Sequence, residues 1–403
     1  MIRKWMRGAV AWAIAIVALA LLAGCAADSD SGSGSKSSSD PYRIGMSMDL
    51  SGPIAFNGKP AAAGLRAAIA DLNRRGGVNG RKVDLKILDD ASDVAKGRVN
   101  IQQFLSERRL ATFGFLLSNL SIATLPLASQ KKMPIVGLGG PASLFDPVAR
   151  YFFSYELRAE RLESAILNYI ATLAKNDGVA KPRVAIFSVD TPSNRDMVKQ
   201  AKQDIEQRGW TLATTQYMPV APTDVTAQAS DIKASRPDYV LMSHNDSGAL
   251  VAVRGLRSHG VDVAVTNQWA GSADTTLKQL GEGYAAFRTF ASPTETSIPA
   301  VDKMRAAASK VHEAKNMTNS YFTQGWVAGM IIERTLKACA KDCASGEAFR
   351  NALEGLGAID TGGLSGPLQV SAASHEMVST VRFFSWDKAA DAAKPLTGWV
   401  KAF

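Results

Sequence analysis

The sequence predicts a two-lobed α/β fold, each lobe a mainly parallel sheet with helices on both faces. Three observations carry that expectation. Short apolar runs alternate with helical stretches of about 10–15 residues, which is the pattern of parallel sheets covered by helices. The alternation restarts after Tyr151, so there are two such series. About 360 residues remain once the N-terminal segment is set aside, a length that suits two domains better than one. Ligands on sheets of this kind bind outside the carboxyl ends of the strands. Two lobes facing each other there make a cleft.

The chain opens with Arg3, Lys4 and Arg7 and no acid, followed by an apolar stretch over residues 8–22. That stretch is short of the roughly 20 residues a membrane span needs. A basic start and a short apolar run read as a secretory signal, residues 1–24. Leu22-Ala23-Gly24-Cys25 resembles a bacterial lipobox, in which the cysteine is acylated and becomes the new N-terminus; an ordinary signal with an incidental cysteine is the alternative. Residues 25–40 are mostly serine, glycine and aspartate, with little worth burying, and read as a flexible linker. The expected product is an extracytoplasmic body tethered to the membrane through Cys25.

Strands and helices then follow in order. Residues 42–48 read as a strand, 60–74 as a helix and 83–87 as a strand. Arg74 and Arg75 suit the helix C-terminus, Gly76 the left-handed position after it, and Asn79-Gly80 a turn. A helix over 95–108, a strand over 110–117, a helix over 122–131 and a strand over 134–138 complete the first series. The second runs helix 160–175, strand 183–188, helix 195–208, strand 211–217, helix 225–234 and strand 239–242. It closes with helix 249–258, strand 261–266, helix 274–280 and strand 285–291. Long helices over 300–315 and 320–338 come next, then short strands near 367–370 and 381–386.

The formal net charge is +9, and removal of the signal leaves about +6. The cations are dispersed without a basic run, so nucleic acid is not an expected partner. Cys339 and Cys343 are the other cysteines. Outside the membrane they are expected to pair, as a local staple worth about 2 kcal/mol that ends or distorts the helix near Ala340. Chemistry is sparse. There is no G-x-S-x-G, H-E-x-x-H or Walker loop, and His244, His259, His312 and His375 lie far apart in sequence. "GLGGPAS" lacks the dinucleotide spacing, and the single "DTG" at Asp360 reads as a turn. A non-enzyme without cofactor or metal is expected.

The ordered motifs are Ser51-Gly52-Pro53, the Gly76-Gly77-x-Asn79-Gly80 turn, Asp89-Asp90 ahead of a helix, "TQGWVAGMIIERTLKA" from Thr323, and "TGGLSGPLQVS" from Thr361. Together they resemble the leucine/isoleucine/valine-type solute-binding proteins over nearly all of residues 41–386. The resemblance implies two Rossmann-like lobes, 41–157 with 290–374 and 158–289 with 375–403. It implies three chain crossings between them, near 155–158, 288–291 and 372–378, with hinge closure over a small solute. It also implies an ABC permease with two ATPase subunits as partner. In lobe 1 the family's contacts align with Phe56, with Ser118 and Asn119, and with Gly139, Gly140 and Ser143. Hydroxyls and backbone N–H groups there suit a carboxylate or carbonyl oxygen, though Ser118 alternatively caps the next helix. In lobe 2 the family's tyrosines align with Ser193 and Asn245, and its ammonium-binding carboxylate with Trp269. An ammonium shut in without a partner costs several kcal/mol. Either Asp246 supplies the charge, or the solute has no ammonium and meets Trp269 as a flat wall. Trp269 as a core aromatic is the remaining alternative.

Overall fold

Residues 40–339 and 343–403 are described by a computed structural model, the side chains of Pro192 and Ser193 excepted. Cys25 and its tether lie outside the described residues. The first sheet is built from β1 (Tyr42–Met48), β2 (Val83–Asp89), β3 (Ala111–Gly114), β4 (Ile135–Gly137) and β5 (Phe152–Ser154). Its order is β2-β1-β3-β4-β5 and every pair is parallel. Helices α1 (Ala55–Arg74), α2 (Val94–Ser106) and α3 (Ser118–Gln130) make the crossovers. Neighbouring residues of a strand point to opposite faces, and the packing shows it. Val136 joins the core shared with α1, while Ile135 joins the separate core formed with α2 and α3. Burial on both faces is why these strands read as continuous apolar runs.

The second sheet repeats the scheme. It is built from β6 (Arg183–Val189), β7 (Thr211–Met218), β8 (Tyr239–Ser243), β9 (Ala264–Asn267) and β10 (Tyr284–Arg288). These run parallel in the order β7-β6-β8-β9-β10. Five helices serve it: α4 (Glu160–Asn176), α5 (Pro192–Gln207), α6 (Thr226–Ser235), α7 (Asp246–Ser258) and α8 (Asp274–Leu280). Val184 and Ile186 face the α4 and α5 side, while Ala185 and Phe187 face α6 and α7. The chain then returns to lobe 1 for α9 (Pro299–Lys310), α10 (Ser320–Ala338) and α11 (Gly346–Glu354). A hairpin of β11 (Gly357–Ile359) and β12 (Leu368–Val370) follows. Three antiparallel strands, β13 (Thr380–Asp387), β14 (Ala392–Pro395) and β15 (Val400–Lys401), finish the second sheet.

Several boundaries differ from the sequence reading, for local reasons. Helix α1 begins at Ala55, not at Pro60. A proline inside a helix frees the carbonyl four residues earlier, and here Asn319 Nδ2 donates to that Phe56 carbonyl at 3.5 Å. Strand β3 stops at Gly114, whose φ is +112°. A Cβ there would sit 2.0 Å from the Ser47 carbonyl oxygen, so only glycine fits. Helix α3 accordingly starts at Ser118, four residues before the expected 122. The expected strand 285–291 ends at Arg288, beyond which the chain leaves the sheet. Helix α10 ends at Ala338, and Cys339 pairs with Cys343 across a Cα separation of 5.3 Å.

Three segments join the lobes: 155–159, 289–298 and 371–379. The first and third are stitched together by Ser154 N–H donating to the His375 carbonyl at 2.9 Å and Met377 N–H donating to the Ser154 carbonyl at 2.8 Å. Glu156, 1% exposed, ties the first crossing to the second. Its Oε2 accepts from Thr289 Oγ1 at 2.6 Å and from Gln324 Nε2 of α10 at 3.0 Å, and its Oε1 accepts from Leu157 N–H at 2.8 Å.

Candidate ligand cleft

In each sheet the chain places its second strand on one side of the first and its third on the other. That creates a topological switch point, between β1 and β3 in one lobe and between β6 and β8 in the other. Loops diverge there and leave a crevice. In lobe 1 the crevice wall after β1 is braced by acids. Asp49 accepts from Gly52 N–H at 2.6 Å and from Ser92 Oγ at 2.6 Å, and Asp89 accepts from Leu50 N–H at 2.8 Å. Asp90 is buried beside Ser47, and burial pushes its carboxyl up to about 6. These carboxylates shape the Ser51-Gly52-Pro53 loop.

On this scaffold Phe56 projects from the first turn of α1, 53% exposed. Ser118 opens α3 but does not cap it: the N-cap is Leu117, with no side-chain bond. Asn119 beside it is exposed. After β4, Gly139 and Gly140 take φ of +78° and +150°. Gly139 N–H donates to Ser154 Oγ at 2.8 Å, and the Gly140 carbonyl accepts from Ala159 N–H at 3.0 Å. Ala142 N–H donates to Glu160 Oε1 at 2.7 Å, and Ser143 is exposed on the short turn that follows. This loop therefore spends two of its N–H groups on the protein itself.

Across the cleft, Asn245 caps α7 by accepting from Gly248 N–H at 3.0 Å. Asp246 is turned toward α8. Its Oδ1 accepts from Ala273 N–H at 3.0 Å and its carboxylate also meets the Thr276 hydroxyl. Burial pushes the carboxyl up to about 6. Its engagement with α8 leaves it a poor candidate for a solute charge. Trp269 follows β9, and its ring lies 5.5 Å from that of Tyr321 at the start of α10. Its indole Nε1 is buried without a partner among the described residues. Tyr321 is 5% exposed, lies near the Asp246 and Glu156 carboxylates, and meets the Asn57 side chain. The Ser193 side chain lies outside the described residues.

The sequence motifs single out none of Tyr155, Glu156, Glu160, Glu163, Tyr321 or Gln324 as a site residue. For the first four a signal is present: "YELRAERLES" sets five acids or arginines in a crossing and helix start flanked by apolar strands and helices. Burial pushes Glu156 up to about 7 and Glu163 up to about 8. With Asp90 and Asp246, four carboxyls stay protonated in the fold at a pH where the unfolded chain has ionised them. Each therefore stabilises the fold fully below its unfolded value, and that stability is lost as pH rises toward the folded value. Glu107, held down to about 2 by Lys86, and Asp71, lowered by Arg74 and Arg75 against the opposing effect of burial, act the other way, losing stability only in stronger acid. The melting temperature is expected to peak near pH 5 and fall by several degrees by pH 8. A melting series from pH 3 to 9 checks this, and a flat profile from 5 to 8 refutes it.

Among the described residues no group of three His, Cys, Asp or Glu side chains is placed to hold a metal ion, and no helix is long and apolar enough to cross a membrane. The periplasmic binding protein family matches residues 41–392. Leu/Ile/Val-binding protein homolog 7 of Brucella melitensis is 24% identical over 235 residues, 55% of this chain and 57% of that protein. The match thus spans little more than half of the relative's length. Among solved structures, the branched-chain amino acid transporter substrate binding protein of Streptococcus pneumoniae, in complex with isoleucine, superposes with a TM-score of 0.75. It is 15% identical, over 90% of this chain and 100% of that one. A solute binding protein of an ABC transporter from R. palustris, in complex with 4-hydroxybenzoate, gives 0.75 at 19% identity, over 90% of this chain and 97% of that one.

Proposed function

Because this chain belongs to the periplasmic binding protein family, we propose that it is the extracytoplasmic receptor of an ABC importer. In this reading it is anchored through lipidated Cys25 and delivers its solute to a permease with two ATPase subunits. It takes one small polar or amphipathic solute, an amino acid or a related amide or carboxylic acid, and performs no chemistry on it. The observation that carries the reading is the pair of switch-point crevices joined by a three-segment hinge. That geometry holds a solute from both sides and signals occupancy by closing. Ser118 and the N–H groups of the loop after β4 that Ser154 and Glu160 do not take offer lobe-1 groups for an oxygen of the solute, and Trp269 with Tyr321 offers an aromatic wall. Solved proteins of similar fold hold isoleucine in one case and 4-hydroxybenzoate in another, so the architecture accommodates both kinds of body.

The test is a melt of the purified protein against branched and polar amino acids, short amides and aromatic acids. A solute at 100 times its dissociation constant adds about 2.7 kcal/mol, a shift of several degrees. A panel that shifts nothing counts against the solute class. Cys25→Ser is expected to move the protein from the membrane fraction to the soluble one, and retention would sink the lipid anchor. A sensor that passes closure to a regulator is the second reading. It rests on the same hinge, and uptake that persists without the protein would favour it.

A further inference from the structure

The first turn of α4 lies where the two lobes meet. Glu160, its first residue, reaches the lobe-1 loop after β4 through Ala142 N–H, and its other oxygen is buried without a partner among the described residues. Glu163, one turn on, is 0% exposed. Both of its carboxylate oxygens lack partners among the described residues, although the Ser243 hydroxyl lies beside it. Ser243 ends β8 and Ser188 lies near the end of β6. The two hydroxyls are bridged by Asn194 Nδ2, at 3.1 Å and 3.3 Å. This buried polar group therefore sits at the switch point of the second sheet, where the topology opens a crevice. A carboxylate in a dry site with no donor beyond the Ser243 hydroxyl and its own backbone N–H is costly, and a switch-point crevice is where a bound molecule supplies more.

We propose that Glu163, with Glu160 before it, forms a subsite for the protonated amine of the bound solute. The proposal rests on the receptor reading above and names which part of the solute lobe 2 holds. It restores a charge partner on lobe 2 at a place no strand-end loop would suggest, because the acids come from the helix that follows the first crossing. The groups facing Glu163 are Glu160 on α4, Asp204 from α5 and Ser243 from β8. Both acids oppose its ionisation. Arg161 acts on Glu160 and Glu376 instead. Without a solute Glu163 keeps its proton at neutral pH. An ammonium in the subsite favours the carboxylate, so the proton leaves to solvent while the solute keeps its own. Binding at pH 7 then releases close to one proton, and binding at pH 9, where the carboxyl is already ionised, releases little.

The experiment is calorimetry on the purified full chain in two buffers of different ionisation heat. The probes are leucine and phenylalanine, their counterparts without the amine (4-methylpentanoate and 3-phenylpropanoate), and isoamylamine and phenethylamine. Amine-bearing probes are expected to bind with proton release at pH 7, and Glu163→Gln is expected to weaken them by about ten- to a hundredfold. The amide copies the protonated acid in shape, so the unliganded variant should melt with the wild type at pH 5 and above it at pH 8. Glu160→Gln, which can still accept from Ala142, tests the outer half and should weaken amine-bearing probes while sparing the acids. Equal binding of these probes by Glu163→Gln, or binding without proton release, overturns the subsite. Binding of the amine-free acids alone overturns it and leaves the receptor reading standing, whereas a panel with no binder at millimolar concentration counts against both.

Discussion

Gly325→Ala is expected to destabilise the protein by about 3 kcal/mol and to cost solute binding as well. Helices α1 and α10 cross backbone to backbone. A Cβ on Gly325 would stand 1.9 Å from the Ala61 carbonyl oxygen, and one on Gly64 would stand 2.0 Å from the Phe322 carbonyl oxygen. Each clash is with main chain, so no side-chain rotamer relieves it and the helices must part. Parting costs the dispersion contacts of a core that includes Leu65, Phe322 and Ala328. It also moves the site. Tyr321 and Gln324 ride on the first turn of α10, one against Trp269 and the other bonded to Glu156 at the hinge. Gly355→Ala is the control: its φ is −80° and an added Cβ meets nothing closer than 3.5 Å. It should change stability by no more than about 0.5 kcal/mol. Thermal melts of the two variants decide the matter, and equal melting temperatures would show that the helix crossing yields more easily than its geometry implies.

The same crossing shows what a sequence does and does not display. The alternation of strand and helix is local chemistry, repeated along the chain, and it marks both sheets, their helices and the places where loops leave strand ends. Phe56, Ser118, Gly139, Asn245 and Trp269 all lie in loops or first helical turns after β1, β3, β4, β8 and β9, as loop positions read from the pattern must. What those side chains do there depends on partners far along the chain. Asp246 looks free in "SHNDSG", yet Ala273 and Thr276 take its carboxylate. The N–H groups of "GLGGPAS" look available, yet Ser154 and Glu160 take two of them. Glu163 falls on the apolar face of an ordinary-looking helix, and only the convergence of β6, β8 and α4 sets it beside Ser243 at the switch point of the second sheet. Pro60 illustrates the reverse: it reads as a helix start, and the long-range bond from Asn319 lets the helix begin five residues earlier.

Trp269→Ala is expected to weaken solute binding by about 2 kcal/mol or more, the loss typical of a buried aromatic anchor. Unliganded stability should fall by only about 1 kcal/mol, because this ring is half-buried and meets Tyr321 across the lobes. That contrast is the point of the variant. A tryptophan that served only as core would cost about 3–5 kcal/mol of stability when truncated and leave affinity per folded molecule unchanged. Trp269→Phe divides the effect further. It keeps a ring against Tyr321 and removes the indole N–H, which is buried without a partner among the described residues. If that N–H donates to an oxygen of the solute, the phenylalanine variant loses about 1 kcal/mol for oxygen-bearing solutes and nothing for isoamylamine or phenethylamine. Affinities of the two variants for acids and for amines separate wall from donor. Combined with Glu163→Gln they test one geometry: an amine held by α4 and an oxygen or ring held at Trp269 are losses at different ends of one solute. Sites that share no partner add within about 0.3–0.5 kcal/mol. The double variant Glu163→Gln with Trp269→Phe should therefore lose close to the sum of the single losses for an amino acid. A double loss no larger than either single loss would mean that the two residues act on the same group.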